Sequence, residues 1–348
     1  MIKTAGSAVK NFFKLKQPPS FITYFPTFRC NCRCIMCGVW KKKRGYELSL
    51  NEISDIFKQL SNVSVVRLSG GEPFLRDDFS SIVNLIDDNT SVEMLHITTN
   101  GVLTNKILSD IRKINNPGKI HIKVSIDSVG EQNDRIRGIS GAYESSMKTV
   151  QELSKLSREK AFYLGVNQTI VNRESLSAYY SLERKLNKLD VPLHAVFAYE
   201  DNTPLYGEGE KKSSPEFKPF GEFKEEELRA FIKELMKKAK LFGNFKESLT
   251  KRYYLKGALN RLVNGKKKPN PPCCALKNHM RILPGGQVPV CLYNSTIVAD
   301  LRSESLKSFW KGKKREKQRK WVKNCPGCWA GCETIVNGIY SGDIIKGI

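Results

Sequence analysis

The sequence predicts an α/β fold: a partial (β/α)6 TIM-like barrel followed by a small, cysteine-rich C-terminal domain. Between residues 21 and 205, apolar β-branched runs alternate six times with segments of helical period. Strand–helix repetition of that kind builds a parallel sheet covered by helices. Six units are too few for a closed eight-fold barrel, and an open one binds its ligands at the C-terminal ends of the strands. The ten cysteines are bunched at Cys30, Cys32, Cys34 and Cys37, and again at Cys273, Cys274, Cys291, Cys325, Cys328 and Cys332, which sets the end of the chain apart as a second unit.

Taken in order, residues 1–20 are a basic N-terminal segment. Residues 21–205 carry the barrel, with strands near Phe21–Phe28, Val63–Leu68, Val92–Thr98, His121–Ile126, Phe162–Val171 and Leu193–Tyr199. Helices are expected to start near Ser49, Asp78, Thr104, Glu144 and Ser175, several of them with a Ser, Thr or Asp able to cap the free amides of the first turn. Residues 206–268 read as a linker and helical bridge: a polar stretch from Pro204 to about Pro219, then a lysine-rich amphipathic helical pair over about 222–264. The cysteine-rich domain spans 269–348. No internal repeat of fixed period is present.

Composition narrows the class. With 40% hydrophobic and 27% charged residues in 348, the chain is long enough for a large core, so disorder is not the default. No run of eighteen apolar residues and no signal-type segment is seen, and a soluble, cytoplasmic protein is expected. Close thiol spacing in such a chain points to metal or cluster ligation rather than disulfides. With four histidines, thiolates must dominate any metal site, which selects zinc or iron–sulfur clusters.

The net charge of +23 calls for an anionic partner, whether nucleic acid, a phosphorylated substrate or an anionic membrane surface. Much of it sits in the runs Lys41–Arg44, Lys266–Lys268 and Lys311–Lys323; a solvated basic face is the plainer alternative.

Cys30, Cys34 and Cys37 form C-x3-C-x2-C directly after the first strand, in TFRCNCRCIMCGVW. Three thiolates from one loop hold three irons of a [4Fe-4S] cube and leave the fourth open. This spacing, with Met36 before the last cysteine, resembles the signature of the radical S-adenosylmethionine (SAM) enzymes. The resemblance implies that SAM chelates the open iron through its amino and carboxylate groups, and that an electron from the cluster cleaves it to a 5'-deoxyadenosyl radical. Gly70, Gly71, Glu72 and Pro73, in LSGGEPF, resemble the family's GGE motif, which binds the SAM amino group. The third strand ends in ITTNG, offering Thr98, Thr99 and Asn100. The fourth ends in VSIDS, where Ser125 and Asp127 would bond the SAM ribose by resemblance. In NDRIRGISGAYE, Arg137 would pair with the SAM carboxylate, a task that suits a planar guanidinium. The fifth strand, LGVNQTIVN, departs from the family's adenine motif. Cys32 stands where relatives place an apolar residue and reads as a small buried hydrophobe.

The C-terminal cysteines resemble a SPASM domain in its shorter, twitch-like form, which implies an auxiliary [4Fe-4S] cluster. Cys273, Cys291, Cys325 and Cys328 are the preferred ligands. Cys273 is placed before Cys274 because relatives show Cys-x-Ala there; Cys274 and Cys332 are the alternates. One auxiliary cluster is expected, with a second left open, and zinc is the competing metal. Gly286, five positions before Cys291, suits a hairpin turn that presents the thiol at the start of the next strand.

An auxiliary cluster that accepts an electron permits net oxidation or bond formation on a substrate. Direct binding of substrate to an open auxiliary iron is the alternative use. Peptides, sugars or small alcohols, and lipids all remain candidate substrates, and a flavodoxin or ferredoxin is the expected electron donor. A non-enzymatic iron–sulfur or zinc-binding protein acting on an anionic partner is the reading from a different class. Nucleic acid is disfavoured because no stacking platform or binding module is recognisable. The N-terminal segment, with Ile2, Val9, Phe12, Phe13 and Leu15 among lysines, suits either contact with an anionic membrane or a helix packed over the barrel. No general base is identified, although Tyr199, Glu200 and Asp201 close the sixth strand.

Overall fold

The computed structural model describes residues 18–199, 218–241 and 245–346. Seven parallel strands form one sheet in the order β6-β5-β4-β3-β2-β1-β7. The strands are β1 Phe21–Thr27, β2 Val65–Gly70, β3 Met94–Thr99, β4 Ile120–Ser125, β5 Tyr163–Ile170, β6 Leu193–Phe197 and β7 His279–Ile282. The first six are those read from the sequence. The seventh corrects the six-strand count: the C-terminal segment adds a strand to β1, with Phe21 opposite His279 and Tyr24 opposite Ile282. Four residues, all buried, give too short a run for alternation to reveal a strand.

Period-two alternation sorts each strand into two faces. Val66, Leu68, Leu95, Ile97, Ile120, Ile122 and Val124 are fully shielded from solvent and pack with the helices in one core. Their neighbours, among them Arg67, His96, His121 and Lys123, lie on the opposite, concave side.

The barrel helices are α1 Leu50–Lys58, α2 Phe79–Asn89, α3 Thr104–Arg112, α4 Glu131–Arg137, α5 Ala142–Lys160 and α6 Arg173–Asn187. Ser49 caps α1 in a reciprocal box with Glu52. Two expected starts move. Asn172, not Ser175, caps α6, with Ser175 closing the box from the third position. α5 begins at Ala142, two residues before Glu144, because Gly141 in the left-handed region (φ 74°) turns the chain into it.

Helices α7 Glu225–Leu241 and α8 Phe245–Leu262 lead to the hairpin β8 Gln287–Pro289 and β9 Ile297–Asp300, then to α9 Leu306–Lys311, α10 Lys313–Lys323, α11 Gly331–Ser341 and α12 Asp343–Lys346. Trp329 locks this end in place. It is fully buried, donates its indole N–H to the Tyr254 carbonyl at 3.1 Å, and lies where a Cβ on Gly257 would come within 1.9 Å. Within the basic run, Arg315 is buried and donates to the carbonyls of Leu276 and Trp310. Among the described residues no helix is long and apolar enough to cross a membrane. The amphipathic segment Ile2 to Leu15, and Glu200 and Asp201, lie outside the described residues.

Candidate active site and auxiliary thiol site

The cysteine loop after β1 is clamped by backbone bonds on two sides. On one side Gly71 donates to Thr27 O (2.9 Å) and Glu72 to Arg29 O (2.8 Å). On the other, Arg33 donates to Arg137 O (2.8 Å) and Ile35 to Ile136 O (3.0 Å) at the end of α4. Glycine is required on both sides. A Cβ on Gly71 would stand 2.0 Å from Arg29 O, and one on Gly138, at φ +66°, would stand 2.6 Å from Arg33 O. The close approach that Gly71 permits is thus to the cysteine loop itself.

Within the loop, the Cys32 thiol lies between those of Cys30 and Cys34, within hydrogen-bonding reach of each. Cys37 lies within electrostatic reach of Cys34 and Cys30, and burial pushes its thiol up to about 12. Cys32 is buried, as a filler would be, yet its thiol lies among the candidate ligands. Its hydrogen bond to Cys34, helped by the Arg137 cation, brings Cys34 down to about 7 against the opposing effect of burial. Among the described residues no three His, Cys, Asp or Glu side chains stand ready-arranged around a metal ion. The donor chemistry nevertheless fits a cluster: three thiols at C-x3-C-x2-C spacing lie in one loop beside a buried guanidinium.

Glu72 is 1% exposed, and its carboxyl oxygens accept from Thr99 Oγ1 (2.8 Å), the Asn100 amide (2.7 Å) and the Phe74 amide (3.3 Å). Burial outweighs these donors and raises it to about 7. Pro73 opens a short 3-10 turn that Glu72 caps. Thr99, not Thr98, meets Glu72; Thr98 lies on the concave face, paired with Lys123 in the sheet. The Asn100 side chain donates to Asn31 Oδ1 within the cysteine loop (2.6 Å).

Arg137 Nη2 meets Asp127 Oδ2 at 2.7 Å, and Nη1 lies 3.8 Å from Cys34 Sγ. Asp127, wholly buried, also accepts from the Thr169 amide at 2.7 Å. This ion pair ties the end of β4 to the cysteine loop. Ser125 lies on the concave face opposite Asn167, and Met36 packs against Ile136, Val171 and Ala198.

At the other end, Cys273, Cys291, Cys325 and Cys328 line one cavity together with Trp321 and Tyr293. Burial raises Cys273 to about 11, with Cys291 and Cys325 adding to the rise and Arg281 opposing it. Crowded, buried thiols of this kind are relieved by a cation that takes them as thiolates. Cys274 turns the other way, its Sγ 3.0 Å from Asn337 Oδ1. Cys332 packs beside Cys291 and Cys328 against Phe25, outside the residues that line the cavity. The Gly286 turn forms, but Cys291 follows β8 instead of opening a strand. Asn294 draws the chain into a turn there, accepting from the Thr296 amide at 3.1 Å while its carbonyl accepts from the Cys291 amide.

The sequence model of the radical SAM superfamily matches residues 24–177, from β1 into α6, and that of an iron–sulfur cluster-binding domain, SPASM, matches residues 273–332. The chain carries a radical SAM domain. Its radical SAM domain is of the kind that binds SAM and a [4Fe-4S] cluster, and its SPASM domain of the kind that binds auxiliary iron–sulfur clusters. It is 25% identical over 177 residues to a GTP 3',8-cyclase of Desulforamulus reducens, covering 49% of this chain and 52% of that one. It is 26% identical over 204 residues to the Fe-coproporphyrin III synthase of Methanosarcina barkeri, covering 56% and 48%. The chain thus spans about half the length of these curated relatives. In fold it resembles Streptococcus suis SuiB bound to S-adenosylmethionine (TM-score 0.61, 15% identity, 90% of this chain and 72% of that one). It also resembles anSMEcpe with bound AdoMet and a peptide (TM-score 0.59, 16% identity, 88% and 84%).

Proposed function

We propose that this radical SAM chain cleaves SAM reductively and abstracts hydrogen from a substrate in the barrel, giving oxidation or bond formation with an auxiliary cluster as electron acceptor. Cys30, Cys34 and Cys37 hold the SAM-binding cluster; Cys273, Cys291, Cys325 and Cys328 hold the auxiliary one. When bound, SAM and its cluster supply a 5'-deoxyadenosyl radical, and every other task falls to the protein. Glu72 accepts from the SAM ammonium, while Ser125 and Asp127 stand at the strand end proposed for the ribose. Arg137 sets the orientation of the cysteine loop and offers its guanidinium to the SAM carboxylate. The barrel walls exclude water from the reacting centre.

The observation that carries this reading is the two-sided clamp on the cysteine loop, which brings a thiol triplet, a buried carboxyl and a buried guanidinium to one end of the sheet. Lys42 and the exposed Lys43 and Arg44 line a cavity of about 380 Å3 that reaches Cys30, a surface suited to an acidic electron donor such as a flavodoxin or ferredoxin. The test is anaerobic reconstitution followed by reduction with dithionite in the presence of SAM. Methionine and 5'-deoxyadenosine are expected; an intact SAM pool beside a fully loaded cluster would overturn the reading.

A further inference from the structure

All four histidines of the chain stand on barrel strands, and three of them belong to one basic belt on the concave face. Sheet register places Thr23, Arg67, His96, His121 and Tyr163 side by side across β1 to β5. Arg281 of β7 extends the row beyond Thr23, and His194 of β6 accepts or donates at 2.7 Å with the Tyr163 hydroxyl. One step toward the strand ends, Lys123 faces Gly165, where the Tyr163 hydroxyl and His194 Nε2 stand 3.2 and 3.3 Å from the position a Cβ would take.

Interiors rarely hold so many basic groups without matching acids. Among the described residues, the charged groups within electrostatic reach of Lys123 are the cations Arg67 and Lys251 and the carboxylate Glu247; Arg67 also donates to the Cys332 carbonyl at 3.0 Å, and Arg281 is paired with Glu333. Lys123 makes no hydrogen bond or ion pair with any described residue, and the buried Nδ1 of His96 has no partner. Burial, with the nearby Arg67 cation, holds Lys123 down to about 8, and burial keeps His96 and His194 neutral. Yet Arg67, His96, His121 and Lys123 each keep partial contact with solvent, so the belt is not sealed off from it. An ammonium with no acceptor inside a fold, beside a second cation and neutral N–H donors, is complementary to an oxyanion.

We infer that Lys123 and Arg67, with His96 and His121, grip a carboxylate or phosphate group of the substrate inside the barrel. The substrate is therefore an acid or a phosphate ester, and neutral sugars and alcohols are excluded. This rests on the proposed function only for the word substrate; the anion site stands on the belt alone.

The test is calorimetric titration of the anaerobically reconstituted full chain with inorganic phosphate and, separately, with malonate, at fixed ionic strength. Saturable binding of at least one is expected, and whichever binds tighter identifies the group carried by the substrate. Lys123→Met is expected to weaken that binding by about tenfold or more, Lys123→Arg to retain it within about threefold, and the surface change Lys313→Met to leave it as in the parent. Circular dichroism and iron content check that each variant is folded and loaded. No saturable binding by the parent chain, or equal losses from Lys123→Met and Lys313→Met, would overturn the inference. SAM cleavage, followed in the parent chain and Lys313→Met, separates the two proposals: failure there sinks the radical chemistry and leaves the anion titration to be read for itself.

Discussion

Arg137 and Asp127 form a buried ion pair, Nη2 to Oδ2 at 2.7 Å, with the second guanidinium nitrogen 3.8 Å from Cys34 Sγ. One side chain thereby links the end of β4, the end of α4 and the cysteine loop. Truncating Arg137 leaves a carboxylate stranded where water does not reach.

Arg137→Met is accordingly expected to destabilise the cluster-free chain by about 3–5 kcal/mol, and Arg137→Met with Asp127→Asn by clearly less. Urea unfolding of parent, single and double variants measures this. Additive losses would show that the pair is not coupled.

Gly71 and Gly45 offer a controlled contrast. A Cβ at Gly71 would meet Arg29 O at 2.0 Å, whereas one at Gly45 meets nothing within 4 Å. Gly71→Ala is expected to cost about 2 kcal/mol or more and to lower iron loading, with Gly45→Ala within about 0.5 kcal/mol of the parent. Equal effects in chemical denaturation would remove the close approach from the account.

Burial raises Glu72 from its ordinary 4.5 to about 7. A folded-state value above the unfolded one means that this group adds stability fully below pH 4.5 and loses it as pH rises through 7. Cluster-free Glu72→Gln is expected to lack that component, about 3 kcal/mol between the two limits. Urea midpoints taken from pH 4.5 to 8 give the comparison, and parallel profiles for parent and variant would count against a buried, raised Glu72.

Thiol assignments predict iron content. With two cubes, the reconstituted parent carries about eight irons per chain, and Cys34→Ala or Cys291→Ala about four. Cys274→Ala and Cys32→Ala retain the full complement, since Cys274 faces Asn337 and Cys32 lies outside the C-x3-C-x2-C triplet. Iron loss in Cys274→Ala, or zinc in place of iron after anaerobic purification, would overturn the auxiliary assignment.

Anion binding in the barrel is expected to weaken as pH rises through about 8, where Lys123 loses its proton. Arg67 stays charged over that range, Lys251 and Glu247 face the same space, and His96, His121 and His194 are neutral below it. Phosphate titrations at pH 7 and 9 read the change, and a flat profile would show that the Lys123 ammonium takes no part.

Much of the barrel was legible because its strands are long enough to alternate and its helices carry capping side chains, as Ser49 and Glu52 do. β7 was not, since His279–Ile282 is short and buried on both faces. The cysteine loop could be read from spacing alone, whereas the pairing of Arg137 with Asp127 depends on how β4 and α4 meet. Cys273 and Cys274 are adjacent in sequence, so only the turn that sends them to opposite sides distinguishes them. Histidines at 96, 121, 194 and 279 look unrelated until register lays them on one face. The His-x-Lys-x-Ser alternation within β4, His121-Ile122-Lys123-Val124-Ser125, was the available hint that the polar face looks inward.

The central claim, that three thiolates leave one iron for SAM, is tested most directly by electron paramagnetic resonance. The dithionite-reduced Cys291→Ala variant isolates the N-terminal cluster, whose spectrum is predicted to change when SAM is added and to vanish in Cys34→Ala/Cys291→Ala. A cluster signal unaltered by saturating SAM, or one that survives loss of Cys34, would contradict it.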